Sequence, residues 1–199
     1  MSVLEAIGSE VLGEVVPLLR RAVDLDAEAL VRFRGSGEVL TTFVRLPFDV
    51  MAARAIPAGA ECDATLSAAD VLAWSDGLRL PLPSRDADWR GAAPPASGWT
   101  RVEVVPDTEL RPLVRSGALT LKNLSGHAAQ ALLDSVVLTV SSPECAAPVE
   151  ITLRMLSALT RMGFLPRGGS AAVDVNGRWK RLAAHYGTIY AEPVGLGLL

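Results

Sequence analysis

The sequence has few of the residues that carry enzyme and metal chemistry. Among 199 residues there are two cysteines and two histidines. Cys62 and Cys145 lie far apart without a CxxC pair, which is typical of a reduced protein without a structural disulfide. His127 and His185 each lack a second ligand residue at metal-site spacing. The sequence therefore predicts no cofactor and no metal site.

Long apolar runs are also missing. No stretch approaches the roughly 18 apolar residues of a membrane span, and no Lys or Arg precedes Arg20, so the charged start of a secretory signal is absent. We therefore expect no membrane association and a cytoplasmic location. Only two of the 19 basic residues are lysine, and this arginine bias is typical of a GC-rich, bacterial genome.

The charge does not favour general nucleic-acid binding. The formal net charge is −3, whereas proteins that coat nucleic acid present a broad positive surface. The distribution is uneven: residues 1–96 carry 9 basic and 14 acidic side chains, and residues 150–185 carry 6 and 2. Any anionic partner, DNA included, is therefore expected at the C-terminal part.

The first 82 residues are predicted to form an α+β module. Apolar residues at helical spacing from Leu4 to Leu18 predict a helix, with a kink or restart at Pro17. Two β-rich runs, residues 29–34 and 38–46, predict an antiparallel hairpin, and residues 48–56 extend it to a third strand. Ser67 is a favourable N-cap for a short helix over residues 68–74. The fold expected here is an N-terminal helix plus an antiparallel hairpin sheet.

Residues 83–98 are rich in proline and glycine and are interpreted as a linker. Trp89 and Trp99 bury large apolar areas and are expected to dock this linker on the modules. Residues 99–199 then form the second module. It begins with a strand at residues 100–105 and a helix capped by Asp107, and residues 135–141 are predicted as either a strand or a helical extension.

The strongest local pattern lies between residues 149 and 184. A helix over residues 149–162 buries Leu156 and Leu159, and a second face presents Arg154, Ser157 and Arg161. Asn176-Gly177 then predicts a β-hairpin over residues 171–184. The apolar terminus, residues 194–199, is expected to dock on its own subunit or on a second copy.

This order of parts resembles a bacterial winged-helix module over residues 127–185, with only residues 141–148 in the place of its second helix. The resemblance implies a recognition helix that presents Arg154, Ser157 and Arg161 to DNA. It also implies a wing whose basic residues, Arg178, Lys180 and Arg181, meet phosphates. The same basic residues also suit simpler roles, because exposed arginines solvate helices and sheet edges.

The sequence thus predicts an α+β protein with a C-terminal winged-helix-like module. Its predicted function is non-enzymatic binding, either to a protein partner or to itself as a homodimer. One alternative is a winged-helix DNA-binding regulator. A second alternative is a small hydrolase or transferase with a cleft between the modules.

Overall fold

The computed structural model describes residues 3–47, 49–79, 81–145 and 147–191. The chain forms two compact units, Met1–Ala92 and Ala93–Leu199, and each is described by itself. The predicted boundaries at residues 82 and 98 stay a prediction. The predicted docking of residues 194–199 lies outside the described residues.

Unit 1 is a four-stranded antiparallel sheet covered by helices on one face. Strand order is β4-β1-β2-β3, and α2 packs against α3 and the sheet. The elements are α1 (Val3–Ile7), α2 (Ser9–Leu25), β1 (Leu30–Ser36), β2 (Val39–Leu46), β3 (Val50–Pro57), β4 (Asp63–Ser67) and α3 (Ala68–Ser75).

The sequence patterns explain most of unit 1. The predicted helix is present, but its interruption lies at Gly8, where φ is 84°, and α2 runs on through Pro17. The helix at α3 is capped as predicted: Ser67 Oγ accepts from the Asp70 N–H at 3.3 Å. Val31 and Phe33 alternate into the core at 0 % exposure, as expected of a strand with one buried face.

The proline-rich segment after α3 is folded against unit 1. The Arg85 N–H donates to the Thr65 carbonyl at 2.8 Å, and the Thr65 N–H donates to Asp86 Oδ1 at 2.7 Å. The Trp89 ring lies 5.9 Å from the guanidinium carbons of Arg32 and Arg45. The outer edge of β4 is therefore occupied by the chain itself, which prevents pairing with another strand.

In unit 2, four antiparallel strands pair in the order β5-β8-β9-β10, and β6 and β7 form a separate two-stranded sheet. The elements of this unit are β5 (Thr100–Pro106), α4 (Asp107–Leu121), α5 (Gly126–Asp134), β6 (Val136–Val140), β7 (Val149–Thr152), α6 (Leu153–Arg161), β8 (Ser170–Asn176), β9 (Trp179–Ala184) and β10 (Gly187–Ala191).

The local predictions for this unit are largely confirmed. The β8-β9 hairpin covers residues 171–184, with Asn176 opposite Trp179, so the turn residues are Gly177 and Arg178. Leu156 and Leu159 are buried at 0 % and 1 % exposure. The structure resolves the ambiguous run at residues 135–141 as strand β6.

The winged-helix arrangement, by contrast, is wrong. Residues 149–152 form strand β7 instead of the first turn of the helix, so α6 has only nine residues. The predicted wing is no free hairpin, since β8 lies between β5 and β9, and β9 also pairs with β10. The N-terminal hairpin sheet was also too small, because β4 adds a fourth strand. The fold is mixed α/β with extended antiparallel sheets.

Candidate binding surfaces

Two of the six predicted site residues are buried in the interior of unit 2. Arg154 and Ser157 are each 9 % exposed. Arg154 Nε and Nη2 contact Asp134 Oδ1 at 3.0 and 2.5 Å, and Nη2 contacts Gln130 Oε1 at 3.3 Å. These contacts connect α6 to α5, so the guanidinium is engaged within the unit. A binding role for Arg154 and Ser157 stays a prediction.

The other four predicted residues do not share one surface. Arg161 and Arg178 are exposed. Lys180 Nζ donates to the Glu150 carbonyl of β7 at 2.9 Å. Arg181 donates from Nε to Asp174 Oδ2 at 2.7 Å. Because neighbouring strand residues point to opposite faces, Lys180 and Arg181 diverge, and a binding role for these four residues also stays a prediction.

A different feature, strand β6, has the properties of a docking edge. Edge strands present unpaired backbone N–H and C=O groups, and proteins block them with charge, proline, bulges or covering chain. The end strand β5 has such protection: Arg101 and Glu103 are charged, its register shifts between these two residues, and it ends at Pro106. The end strand β4 is covered by Arg85 and Asp86.

Strand β6 lacks most of this protection. Its sequence, Val-Val-Leu-Thr-Val, contains no charge, proline or glycine. Within the described residues its strand partner is β7 alone, and the pairing is regular from Leu138 to Val140 after a shift near Val137. The edge of β7 that faces away from β6 is less open than the edge of β6, because Lys180 Nζ donates to the Glu150 carbonyl of β7.

The helices that precede β6 in the chain, and part of β6 itself, are also exposed. Helix α5 contains no buried residue, and it leads into β6 through Ser135, whose carbonyl accepts from the Leu153 N–H at 3.0 Å. Val136 of β6 is 47 % exposed, and Leu119 of α4 is 59 % exposed. We name α5 together with β6 the open surface. The sequence analysis did not predict this surface, although the uncharged run at residues 136–140 indicates an edge strand without charged protection.

Neither a cluster of metal-ligand residues nor a membrane-spanning helix is found among the described residues. In the part of the chain that the structure describes, no three His, Cys, Asp or Glu side chains come together as metal ligands. The helices described there are too short or too polar to cross a membrane. Cys62 and Cys145 are free thiols, and burial raises the pKa of Cys62.

The fold is similar to that of bacterial sliding clamps. The DNA polymerase III subunit beta from Pseudomonas aeruginosa matches with a TM-score of 0.64 and 11 % identity, over 94 % of this chain and 64 % of that one. The DNA polymerase sliding clamp from Bacillus subtilis gives 0.60 and 13 %, over 97 % and 65 %. The Caulobacter crescentus beta sliding clamp gives 0.57 and 14 %, over 96 % and 63 %.

At these identities the likeness concerns the fold alone, and the chain spans slightly less than two thirds of each clamp. This likeness also overturns the predicted winged-helix class. By sequence, the chain belongs to the family Domain of unknown function (DUF8185), whose model matches residues 94–196. A second family model, Domain of unknown function (DUF8010), matches residues 3–91. Among curated proteins, none matches the sequence.

Proposed function

We propose that this protein is a non-enzymatic interaction protein that assembles with a second copy through its open surface. The observation that carries the proposal is the unprotected edge of β6. An uncharged edge strand favours addition of another strand, because main-chain hydrogen bonds then satisfy its backbone groups.

The sequence of β6 suits pairing with itself. In an antiparallel pair centred on Leu138, Val136 faces Val140, and Val137 faces Thr139. No like charges meet in any of these pairs, whereas directly opposed like charges destabilise a sheet. Such a contact is isologous, so one two-fold axis closes it. Helix α5, which leads into β6 and has no buried residue, offers further exposed surface in the same part of the chain.

Binding to DNA is less well supported. The similar solved structures are DNA polymerase sliding clamps, yet the helices of this chain carry little positive charge. Helices α1, α2 and α3 hold five acidic and two basic residues, and α4, α5 and α6 hold three acidic and four basic ones. Nucleic-acid affinity depends on neutralising phosphates with Lys and Arg. The cytoplasmic location stays a prediction.

The test is the mass of the protein in solution, measured by light scattering or sedimentation over a range of concentrations. We expect the wild type to form a dimer whose mass depends little on salt, because apolar and backbone contacts are weakly screened. The double variant Val136→Lys/Thr139→Lys places two charges on exposed positions of β6 and should be monomeric.

Val39→Lys is the matched control. Val39 is also an exposed strand valine, at 44 % exposure, but β2 lies between β1 and β3 and has no open edge. This variant should keep the dimer. A wild type that stays monomeric at high concentration, or a β6 variant that still dimerises, contradicts the proposal. Anisotropy of a labelled duplex should show no sub-micromolar binding at physiological salt, and such binding would instead favour a DNA role.

A further inference from the structure

A row of side chains crosses the unit 2 sheet on the face away from its core. Strand pairing places Arg101 of β5 opposite Asp174 of β8, Asp174 opposite Arg181 of β9, and Arg181 opposite Tyr190 of β10. On the other face, Val173, Leu182 and Ile189 are fully buried. The row therefore lies on the outer face, where polar side chains are expected to meet water.

The carboxylate at the centre of this row is deeply buried. The side chain of Asp174 is 2 % exposed and accepts from Arg101 Nε at 2.9 Å and from Arg181 Nε at 2.7 Å. Trp99 stacks at 4.3 Å from the Arg181 guanidinium carbon, and its ring lies 5.6 Å from the Tyr190 ring. Burial raises the pKa of the Tyr190 phenol above its ordinary value.

The two arginines in this row are used differently. Arg181 is 23 % exposed and is held by Asp174, Trp99 and Tyr190. Arg101 is 60 % exposed, and its contact with Asp174 uses only Nε. Within the described residues, its Nη1 and Nη2 make no other contact. Those two nitrogens form the planar fork that binds carboxylates in a bidentate manner, and the buried aspartate fixes its direction.

A shallow depression lies beside Arg101. Its floor is made of small residues, because Ala172 and Ala183 face each other across β8 and β9 and Ser170 is the first residue of β8. Its wall includes Val104, which is 46 % exposed, and the exposed His185 stands at its rim. The depression exists because Ala172 and Ala183 have only methyl side chains. Larger side chains at these two positions would fill the space between Arg101 and His185.

From this geometry we propose that the depression binds a carboxylate joined to a short aliphatic group. The carboxylate accepts from the terminal nitrogens of Arg101, and the aliphatic group lies on Ala172 and Ala183 against Val104. The row carries one net positive charge, since Asp174 neutralises one of the two arginines, and this charge complements an anion. The site is independent of the open surface proposed for self-assembly.

Two sources present this chemistry: a free small carboxylic acid, and the C-terminal valine of a peptide. We would titrate the full-length protein with isobutyrate, with the peptide acetyl-Ala-Ala-Val bearing a free carboxylate, and with the same peptide as its carboxamide. The readout is the NMR shift of the Ala172 and Ala183 signals. At least one of the two carboxylates should shift these signals saturably, and the carboxamide should bind at least tenfold more weakly.

The variants separate binding from folding. Arg101→Gln removes the fork and should weaken carboxylate binding at least tenfold. Ala183→Leu fills the depression while leaving the contact between Arg101 and Asp174 intact, and should weaken binding equally. Arg115→Gln, an exposed arginine on α4, is the matched control and should bind as the wild type does.

Binding by isobutyrate as tight as by the peptide identifies a small acid as the source, and binding by the peptide alone identifies a chain terminus. Either result supports the site. Equal binding of peptide acid and carboxamide, absence of saturable shifts at Ala172 and Ala183 with both carboxylates, or wild-type binding by Ala183→Leu overturns it. The mass measurement on β6 is unaffected by any of these outcomes, so the two proposals fail separately.

Discussion

Units 1 and 2 are built from the same pieces in a different order. In unit 1, α2 leads into the meander β1-β2-β3, and β4 runs directly into α3. In unit 2, β5 runs directly into α4, and later α6 leads into the meander β8-β9-β10. In each unit the extra strand pairs with the first strand of the meander, and the two helices pack together. The arrangement is thus permuted, which shows that it depends on packing and not on chain order.

The units differ in what is added to this arrangement. In unit 1 the segment that follows α3 covers the edge of β4 and leaves it closed. Unit 2 instead contains an insertion, α5-β6-β7, whose helix has no buried residue and whose outer strand has an open edge. The strands and helices that both units share form the packed core of each unit. The insertion in unit 2 is the reason why we assign interaction with a partner to that unit. Four measurements test this difference between the units.

The largest effect is expected in the core of unit 2. Leu156→Ala removes a fully buried side chain, and such substitutions cost about 2–5 kcal/mol through lost burial and the cavity left behind. Leu119→Ala, at an exposed position of α4, should change stability by no more than about 0.5 kcal/mol. Urea unfolding measures both. An unchanged midpoint for Leu156→Ala would mean that the wrong face of α6 has been assigned to the core.

Unit 1 has a comparable weak point at a glycine. A Cβ on Gly35 would lie 1.5 Å from the carbonyl oxygen of Ala60, so Gly35→Ala must displace backbone and should cost roughly 1–3 kcal/mol. Gly13→Ala is the matched control, because Gly13 lies in α2 with nothing within 4 Å of its Cβ position. This control should stabilise by about 0.5–1 kcal/mol. Equal effects of both would show that β1 does not approach Ala60 closely.

Arg154 of α6 connects the insertion to the rest of unit 2 through its contacts with α5. Arg154→Ala removes its contacts with Asp134 and Gln130, and hydrogen bonds to charged groups contribute about 1.5–3 kcal/mol. Because Asp134 is 62 % exposed, solvent screening reduces the expected loss to about 1 kcal/mol. Arg54→Ala breaks a pair with Glu14 in unit 1, and because Arg54 is 25 % exposed against 10 % for Arg154, this variant should cost less. A larger loss for Arg54→Ala would reverse this ranking and weaken the view that α5 is anchored by Arg154.

The smallest effect concerns acid. The Arg32 guanidinium holds the pKa of Asp63 below its ordinary value of 3.8, and hydrogen bonds from Ser84 and the Thr65 N–H lower that of Asp86. These carboxylates stabilise unit 1 fully above the ordinary pKa. As the pH falls through that range, the unfolded chain takes up protons first, and the stability is lost.

Asp63→Asn should therefore flatten the loss of stability below about pH 4, measured as urea midpoints between pH 7 and pH 3. Asp24→Asn, an exposed carboxylate on α2, should keep the wild-type profile. If Asp63→Asn also keeps it, the ion pair with Arg32 makes no difference between the folded and unfolded chains.

The amino-acid sequence alone determined the local elements of this protein. The helical periodicity of residues 4–18, the Ser67 cap, the β8-β9 hairpin and the burial of Leu156 and Leu159 follow from spacing within a few residues. How these elements combine depends on contacts between residues far apart in the sequence. Strand β7 has only four residues and directly follows a proline, and its sequence carries no recognisable strand pattern. Because residues 149–152 form this strand, α6 begins at Leu153 and not at residue 149 as predicted.

The candidate sites follow the same division. The sequence predicted Arg154 as an exposed helical arginine. In the structure its guanidinium donates to the carboxylate of Asp134, which lies 20 residues earlier in the chain. Arg101 and Asp174 are 73 residues apart, and the openness of β6 depends on which strands pair elsewhere. Helix periods, caps and turns are set by neighbours in sequence, whereas edges, ion pairs and hollows are set by neighbours in space. Long-range pairing therefore determines which strand edges, ion pairs and depressions this chain presents.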